Sequence, residues 1–276
     1  MINKFAGRCG SCRGAVAAQA GQAINHGSGW QTFHNQCVPV RKAPPVGTHQ
    51  GWHRLPLAAF DLEATLSDPM EARIVSAALV LPDGTRRTWL VNPGVPIPAD
   101  ATELHGITDE MVREQGMPPE VAVAEIAHLV AEQIASATPL VAFYASYDIT
   151  TLHTELARLG LPRLNWANST VIDPLILHKQ VEPNWYDSKR LADLCRYYEV
   201  ELTQAHDALA DGLAALGLAR SIAARHPRIA QMPVDVLHKY QVQWHFDQAT
   251  DLQRYFDRVG KGETVSTEWP LETKPR

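Results

Sequence analysis

Leu55-Pro56-Leu57-Ala58-Ala59-Phe60-Asp61-Leu62-Glu63 is an apolar run that closes on two acids one residue apart. A short apolar run of this kind predicts a buried strand. Residues two apart in a strand point to the same side, so Asp61 and Glu63 project together at its tip. Two like charges that close repel, and each loses hydration at the edge of a core. The pair is stable when a cation sits between them, and hard oxygen ligands suit Mg²⁺ or Mn²⁺. An isolated Asp-x-Glu is more often two solvated acids at a strand end, so the rest of the chain decides.

Outward from this strand, residues 73–81 and 86–91 are strand-like runs separated by Pro82-Asp83-Gly84-Thr85. Asp-Gly between two such runs is a hairpin signal, so the first three strands should form an antiparallel meander. Pro93, Pro96 and Pro98 make the next stretch a loop, which leads through Leu104-His105-Gly106-Ile107 to a helix start at Thr108-Asp109-Glu110. Residues 119–137 carry Val123, Ile126, Val130 and Ile134 near helical spacing. Strands at 140–143 and 170–172 then alternate with helices at 147–159, 188–198 and 207–224. The pattern predicts an α/β domain over residues 55–225 with a mixed sheet flanked by helices.

A helical extension over 226–264 follows, with Leu237, Tyr240, Trp244, Leu252 and Tyr255 as the apolar face expected to dock on the domain. Residues 265–276 read as a disordered tail. No internal repeat, Gly-rich phosphate loop or dinucleotide fingerprint is found in the sequence.

Three further residues sit where a carboxylate metal site needs them. Asp148 follows the strand at 140–143 and lies at a helix entrance. His206 and Asp211 stand in His206-Asp207-Ala208-Leu209-Ala210-Asp211, which opens another helix. Five residues correspond to 140° around a helix, so these two converge only if His206 lies in the preceding loop. Asp207 is then the N-cap, and Asp211 faces inward from the early turns. A histidine beside four carboxylates suggests a proton acceptor for a metal-bound water.

The chain has 276 residues, 45% of them hydrophobic and 20% charged, as in an ordinary globular protein. No apolar run approaches the roughly 18 residues of a membrane span, and no signal-peptide h-region is found, so cytoplasmic location is the expectation. The net charge of −5 divides unevenly: residues 1–54 hold six Lys or Arg and no Asp or Glu. A basic piece on an acidic body is the asymmetry of one module that meets a polyanion and another that holds cations.

Three of the four cysteines fall in the first 37 residues, as Cys9-Gly10-Ser11-Cys12 and Cys37, with His34 beside the last. Cys9, Cys12, His34 and Cys37 fit a tetrahedral Cys₃His zinc site, with His26 a less well-spaced spare ligand. So short a module, residues 1–37, has little core of its own, and the metal supplies its folding energy. Residues 38–54, with Pro39, Pro44, Pro45, Gly47 and Gly51, read as an irregular linker. Cys195 in a helix reads as a small buried hydrophobe.

Taken together, these motifs resemble the DEDDh, or DnaQ-like, 3′→5′ exonucleases with their ribonuclease-H-like fold. Phe60-Asp61-Leu62-Glu63-Ala64-Thr65 matches the first motif, Ala145-Ser146-Tyr147-Asp148 the second, and His206 to Asp211 the third. Leu104-His105-Gly106-Ile107-Thr108 matches a segment between them, and the resemblance spans about residues 55–225. It implies a five-stranded mixed sheet and two Mg²⁺ or Mn²⁺ ions held by Asp61, Glu63, Asp148 and Asp211. It further implies that one ion activates water, that His206 takes its proton, and that the other ion stabilises the leaving 3′ oxygen.

The implied substrate is a 3′ end of DNA or RNA, with DNA favoured, in replication or repair, and the product a 5′-mononucleotide. Leu62, Thr65, Leu104, His105 and Gly106 match positions that line the terminal-nucleotide pocket. Two positions depart from the family: Phe143-Tyr144 stands where His-Asn is common, and Leu66 where Gly is common. These departures bear on nucleotide orientation, not on the metal ligands. Asp173 also matches a recurrent acid, but a turn or helix cap accounts for it. A protein of this fold that only binds ends, or an exoribonuclease, is the alternative.

Overall fold

The computed structural model describes residues 1–25, 29–39, 41–185 and 187–273. The N-terminal module is built from two small antiparallel pairs. β1 (Gly7–Arg8) pairs with β2 (Ala15–Val16), and β3 (Gly21–Asn25) pairs with β4 (Trp30–His34). Among the described residues its buried core is Cys9, Val16, Ile24 and Phe33, with Cys37 and Val38 packed against them. Gly21 is required there, because a Cβ on it would lie 2.2 Å from the Phe33 carbonyl oxygen.

The body is a five-stranded mixed sheet. β5 (Ala58–Ala64), β6 (Ile74–Val80) and β7 (Arg86–Leu90) form the expected antiparallel meander. The turn at Asp83-Gly84 is closed by Leu81 N–H to the Thr85 carbonyl, with Gly84 at φ +88°. α1 (Ala99–His105), α2 (Asp109–Gln115) and α3 (Pro119–Ala135) follow. Thr108 starts α2 as expected, its hydroxyl accepting the Met111 N–H.

The stretch expected to be a loop after Pro98 holds α1 instead. Pro98 fixes the entry and Gly106, at φ +75°, terminates the helix.

β8 (Leu140–Val141) lies parallel beside β5, and α4 (Ala145–Arg158) follows it; β9 (Val171–Ile172) completes the order β7-β6-β5-β8-β9. α5 (Pro174–Val181) was not anticipated, although its signal was present: Asp173 caps it and Pro174 fills the first helical position. α6 (Leu191–Tyr198), α7 (Ala208–Arg225), α8 (Pro227–Ala230) and α9 (Val234–Val259) complete the fold. Among the described residues no helix is long and apolar enough to cross a membrane.

The alternation of β5 divides the core. Ala58, Phe60 and Leu62 pack with residues of α3 and α4, whereas Ala59 packs with α6, α7 and α8. Asp61 and Glu63 continue the face that Ala59 begins, toward α7. Between Glu63 and Ala64 the pairing with β6 shifts register, and Thr65 and Arg73 hold each other beyond the shift. A bulge at the end of the acid-bearing strand bends it next to the site. Buried Glu155 of α4 pairs with Arg73 and Arg158 and fixes that corner.

Three expectations need correction. First, the linker is irregular but not loose. Arg41 pairs with Asp187 and stacks over Trp185, Gly47 N–H donates to the Ala224 carbonyl, and Trp52 Nε1–H donates to the Ile229 carbonyl. Trp52 is buried, so residues 41–54 belong to the body. Second, of the apolar face proposed for α9, only Leu237 and Trp244 pack on the cores. Tyr240, Leu252 and Tyr255 are exposed, and Gln241 and Ala249 are buried in their place.

Third, the tail is ordered over 265–273. Trp269 is buried in the main core, and Glu272 N–H donates to the Thr150 hydroxyl of α4. A lone tryptophan in a polar tail carries no periodic signal, so only its docking site explains it.

Candidate active site

The end of β5 delivers Asp61 and Glu63, and the first turn of α4 delivers Asp148, which is almost fully buried. Asp148 Oδ1 accepts the Leu62 N–H at 3.1 Å, which ties α4 to the strand between the two acids. From the other layer, the first turn of α7 brings Asp211. Gly212 beside it lies against Asp61: a Cβ there would be 3.6 Å from the Asp61 Cβ, an ordinary contact.

His206 stands in the loop before α7, with Asp207 as the N-cap accepting the Ala210 N–H at 2.9 Å. That is the arrangement the 140° argument requires. Ligand atoms of Glu63, His206 and Asp211 lie within 4.8 Å of one another.

The electrostatics reflect this crowding. Burial, then the charges of Asp148, Glu63 and Asp211, hold the Asp61 carboxyl well above its ordinary range. Glu63 is pushed up to about 7, by burial first and Asp211 second. Burial raises Asp148 against the Leu62 N–H that favours its charge, and burial likewise raises Asp211 against the His206 N–H. Asp211 Oδ1 is buried without a hydrogen-bond partner. Four acids destabilised as anions, one with an orphaned oxygen, form a hard-oxygen donor set that divalent cations fit.

A cleft of about 390 Å³ opens beside Glu63, lined by Leu62, Thr65, Leu104, Tyr144 and Tyr147 among others. Leu62, Thr65 and Leu104 were expected there; His105 and Gly106 do not line it. The His105 ring is partly buried, its basicity lowered by burial and then by His206, so it lies within electrostatic reach of the site. Tyr144 and Tyr147 were missed as lining residues. For Tyr144 the signal was the departure from His-Asn at 143–144, since a replaced residue at a substrate-facing position still faces the substrate. Tyr147 OH donates to the Leu66 carbonyl at 2.5 Å, so the second departure, Leu66, belongs to the same wall. Asp173 stays outside the site and accepts the N–H groups of Tyr144, Ala145 and Leu175.

In the N-terminal module the ligand atoms of Cys9, Cys12, His34 and Cys37 also lie within 4.8 Å of one another. His34 turns Nδ1 to Cys12 Sγ at 3.3 Å, and its Nε2–H donates to the Ala15 carbonyl, an orientation suited to a metal-ligating imidazole. Burial works against a Cys9 thiolate, but the N–H groups of Cys12, His34 and Ser11 outweigh it and lower the thiol to about 6. His26 lies outside the described residues. Cys195 is buried, and desolvation holds its thiol protonated, as a core residue should be.

A ribonuclease-H-like sheet with four carboxylates and a histidine at the end of its central strand defines a nuclease-type hydrolase. The exonuclease family model RNase_T matches residues 58–219, more than half of the chain, and the chain belongs to that family. It is similar to the DNA polymerase III PolC-type of Bacillus cereus, with 34% identity over 180 residues, 62% of this chain and 12% of that protein. The Bacillus subtilis counterpart is 32% identical over 158 residues, 55% of this chain and 10% of that protein. The chain thus spans about a tenth of the length of these relatives.

In fold it is similar to E. coli exonuclease I. The complex with a dT13 oligonucleotide gives a TM-score of 0.54 at 21% identity, covering 63% of this chain and 42% of that one. The zinc-bound complex with single-stranded DNA gives 0.56 at 21%, covering 69% and 43%.

Proposed function

We propose that this chain is a divalent-metal-dependent 3′→5′ exonuclease that releases 5′-mononucleotides, with DNA as its substrate. The observation that carries the reading is the convergence of Asp61, Glu63, Asp148 and Asp211 from both layers beside His206. Asp61, Glu63, Asp148 and Asp211 would hold two Mg²⁺ or Mn²⁺ ions, which when bound supply charge for activating water and for the leaving 3′ oxygen. His206 accepts the proton of the attacking water, its imidazole standing within 4.8 Å of ligand atoms of Glu63 and Asp211. The cleft seats the 3′-terminal nucleotide, with Leu62 and Leu104 against the base and Tyr144 and Tyr147 bounding it.

DNA is preferred over RNA because the curated relatives are DNA polymerases and three of the similar solved structures hold single-stranded DNA. Cys9, Cys12, His34 and Cys37 hold one structural Zn²⁺, and the basic module aids capture of the strand through phosphate contacts. The test is cleavage of 5′-labelled single- and double-stranded DNA and RNA with Mg²⁺ or Mn²⁺, by wild type and by Asp61→Asn, Glu63→Gln, Asp148→Asn and Asp211→Ala. Shortening from the 3′ end that each substitution abolishes is expected. Binding of ends without cleavage would assign the chain to a recognition role, and full turnover in Asp211→Ala would remove the two-metal reading.

A further inference from the structure

The N-terminal module carries two large aromatic rings that its own core does not use. Phe5 is 81% and Trp30 58% exposed. Both line one cavity of about 330 Å³, together with Ile2, Lys4 and Thr32. The frame beneath the rings is fixed. Asn3 is buried; its Oδ1 accepts the Gly21 N–H, and its Nδ2 donates to the carbonyls of Phe5 and Ala17. Met1 and Ala23 pair through the backbone, and Trp30 stands in register at the start of β4. The cation of Lys4 lies at the cavity, and no acidic residue occurs anywhere in residues 1–54.

We propose that this surface binds single-stranded nucleic acid, with bases stacked on Phe5 and Trp30 and a phosphate at Lys4. Every base offers a π-face, so exposed rings beside cations bind single strands with little regard to sequence. The absence of carboxylates removes repulsion for the phosphates, and a duplex, whose bases are already stacked, cannot use the rings. The choice of a substrate strand as occupant rests on the exonuclease reading. Cys37 lies only four residues before Arg41, which is anchored on the body. A strand held here is therefore kept at high effective concentration for the cleft of the same molecule.

The test measures binding of a labelled oligo-dT of about 20 nucleotides to the full chain without added Mg²⁺, with zinc content checked in each variant. Phe5→Leu and Trp30→Leu keep apolar bulk but lose the ring, and each should weaken binding about tenfold. Phe5→Tyr and Trp30→Phe should bind as wild type, and a blunt duplex should not sense either leucine. Lys4→Gln leaves both rings in place and should lower the salt slope by about 0.7. Wild-type affinity in both leucine variants at full zinc content would overturn the proposal, as would an equal loss for duplex. Ring-dependent binding by a chain that cleaves nothing would sink the exonuclease reading and leave this surface standing. Ring-independent binding with normal cleavage would sink the surface alone.

Discussion

The backbone N–H of His206 donates to Oδ2 of Asp211 across 2.9 Å, so these two residues hold each other through the chain itself and leave the imidazole free to turn toward Glu63. His206 takes φ +63° to do this, a left-handed conformation that asparagine also tolerates.

His206→Asn should therefore keep the hydrogen bond and the fold while losing the proton acceptor. Turnover should fall on the order of 10²–10⁴ with KM little changed, because proton transfer occurs only in the transition state. Steady-state kinetics beside a melting curve decide the matter. A lowered melting temperature with intact turnover would show that His206 serves only as a helix-entry residue.

Glu63 predicts a pH signature in the metal-free protein. Its carboxyl is raised from 4.5 to about 7 by burial and by Asp211. The folded state then binds more protons than the unfolded state between those values, so stability from this group is present below about 4.5 and is lost as pH rises through about 7. Glu63→Gln removes the dependence. The melting temperature of the variant minus that of wild type should grow between pH 4.5 and 7.5 without Mg²⁺. Adding Mg²⁺ at pH 7.5 should then raise wild type more than the variant. A difference that stays flat with pH would show that Glu63 does not carry the strain.

Asp173 is predicted to position Tyr144 rather than to bind metal. It is 1% exposed and accepts three backbone N–H groups, including those of Tyr144 and Ala145 at the turn into α4. Tyr144 sits at φ +62° on that support. Asp173→Ala strands those donors at about 1–3 kcal/mol each. Both a lower melting temperature and a KM raised more than kcat is lowered are expected, with partial rescue in Asp173→Asn. Unchanged KM in Asp173→Ala would separate Tyr144 from substrate binding.

The linker sets where the two parts can be divided. A chain beginning at Arg41 should keep its turnover at saturating substrate, while its KM rises and becomes less sensitive to salt. A chain beginning at residue 55 loses Trp52, whose truncation alone should cost about 3–5 kcal/mol. Equal KM and equal salt dependence for the full and Arg41 chains would reject a nucleic-acid role for the module. Elemental analysis of the full chain should find one zinc.

The strand ending in Asp61 and Glu63, the Asp-Gly hairpin and the His206-to-Asp211 spacing were legible because each is local. Period-two alternation, a turn dipeptide and a helical angle need no distant partner. The cluster of Cys9, Cys12, His34 and Cys37 was legible for the same reason, since each pair is close in sequence. What lay beyond the sequence is the convergence itself. Asp148 meets the strand through the Leu62 N–H, and Asp211 arrives from the opposite layer on the first turn of α7. The burial of Trp52 and Trp269 and the outward turn of Tyr240 and Leu252 were likewise hidden, because burial belongs to the surface met, not to the residue. The sequence alone determined which acids are present and which elements carry them. Their shared destabilisation, the property that calls for a cation, arises only when packing removes water from all four at one place.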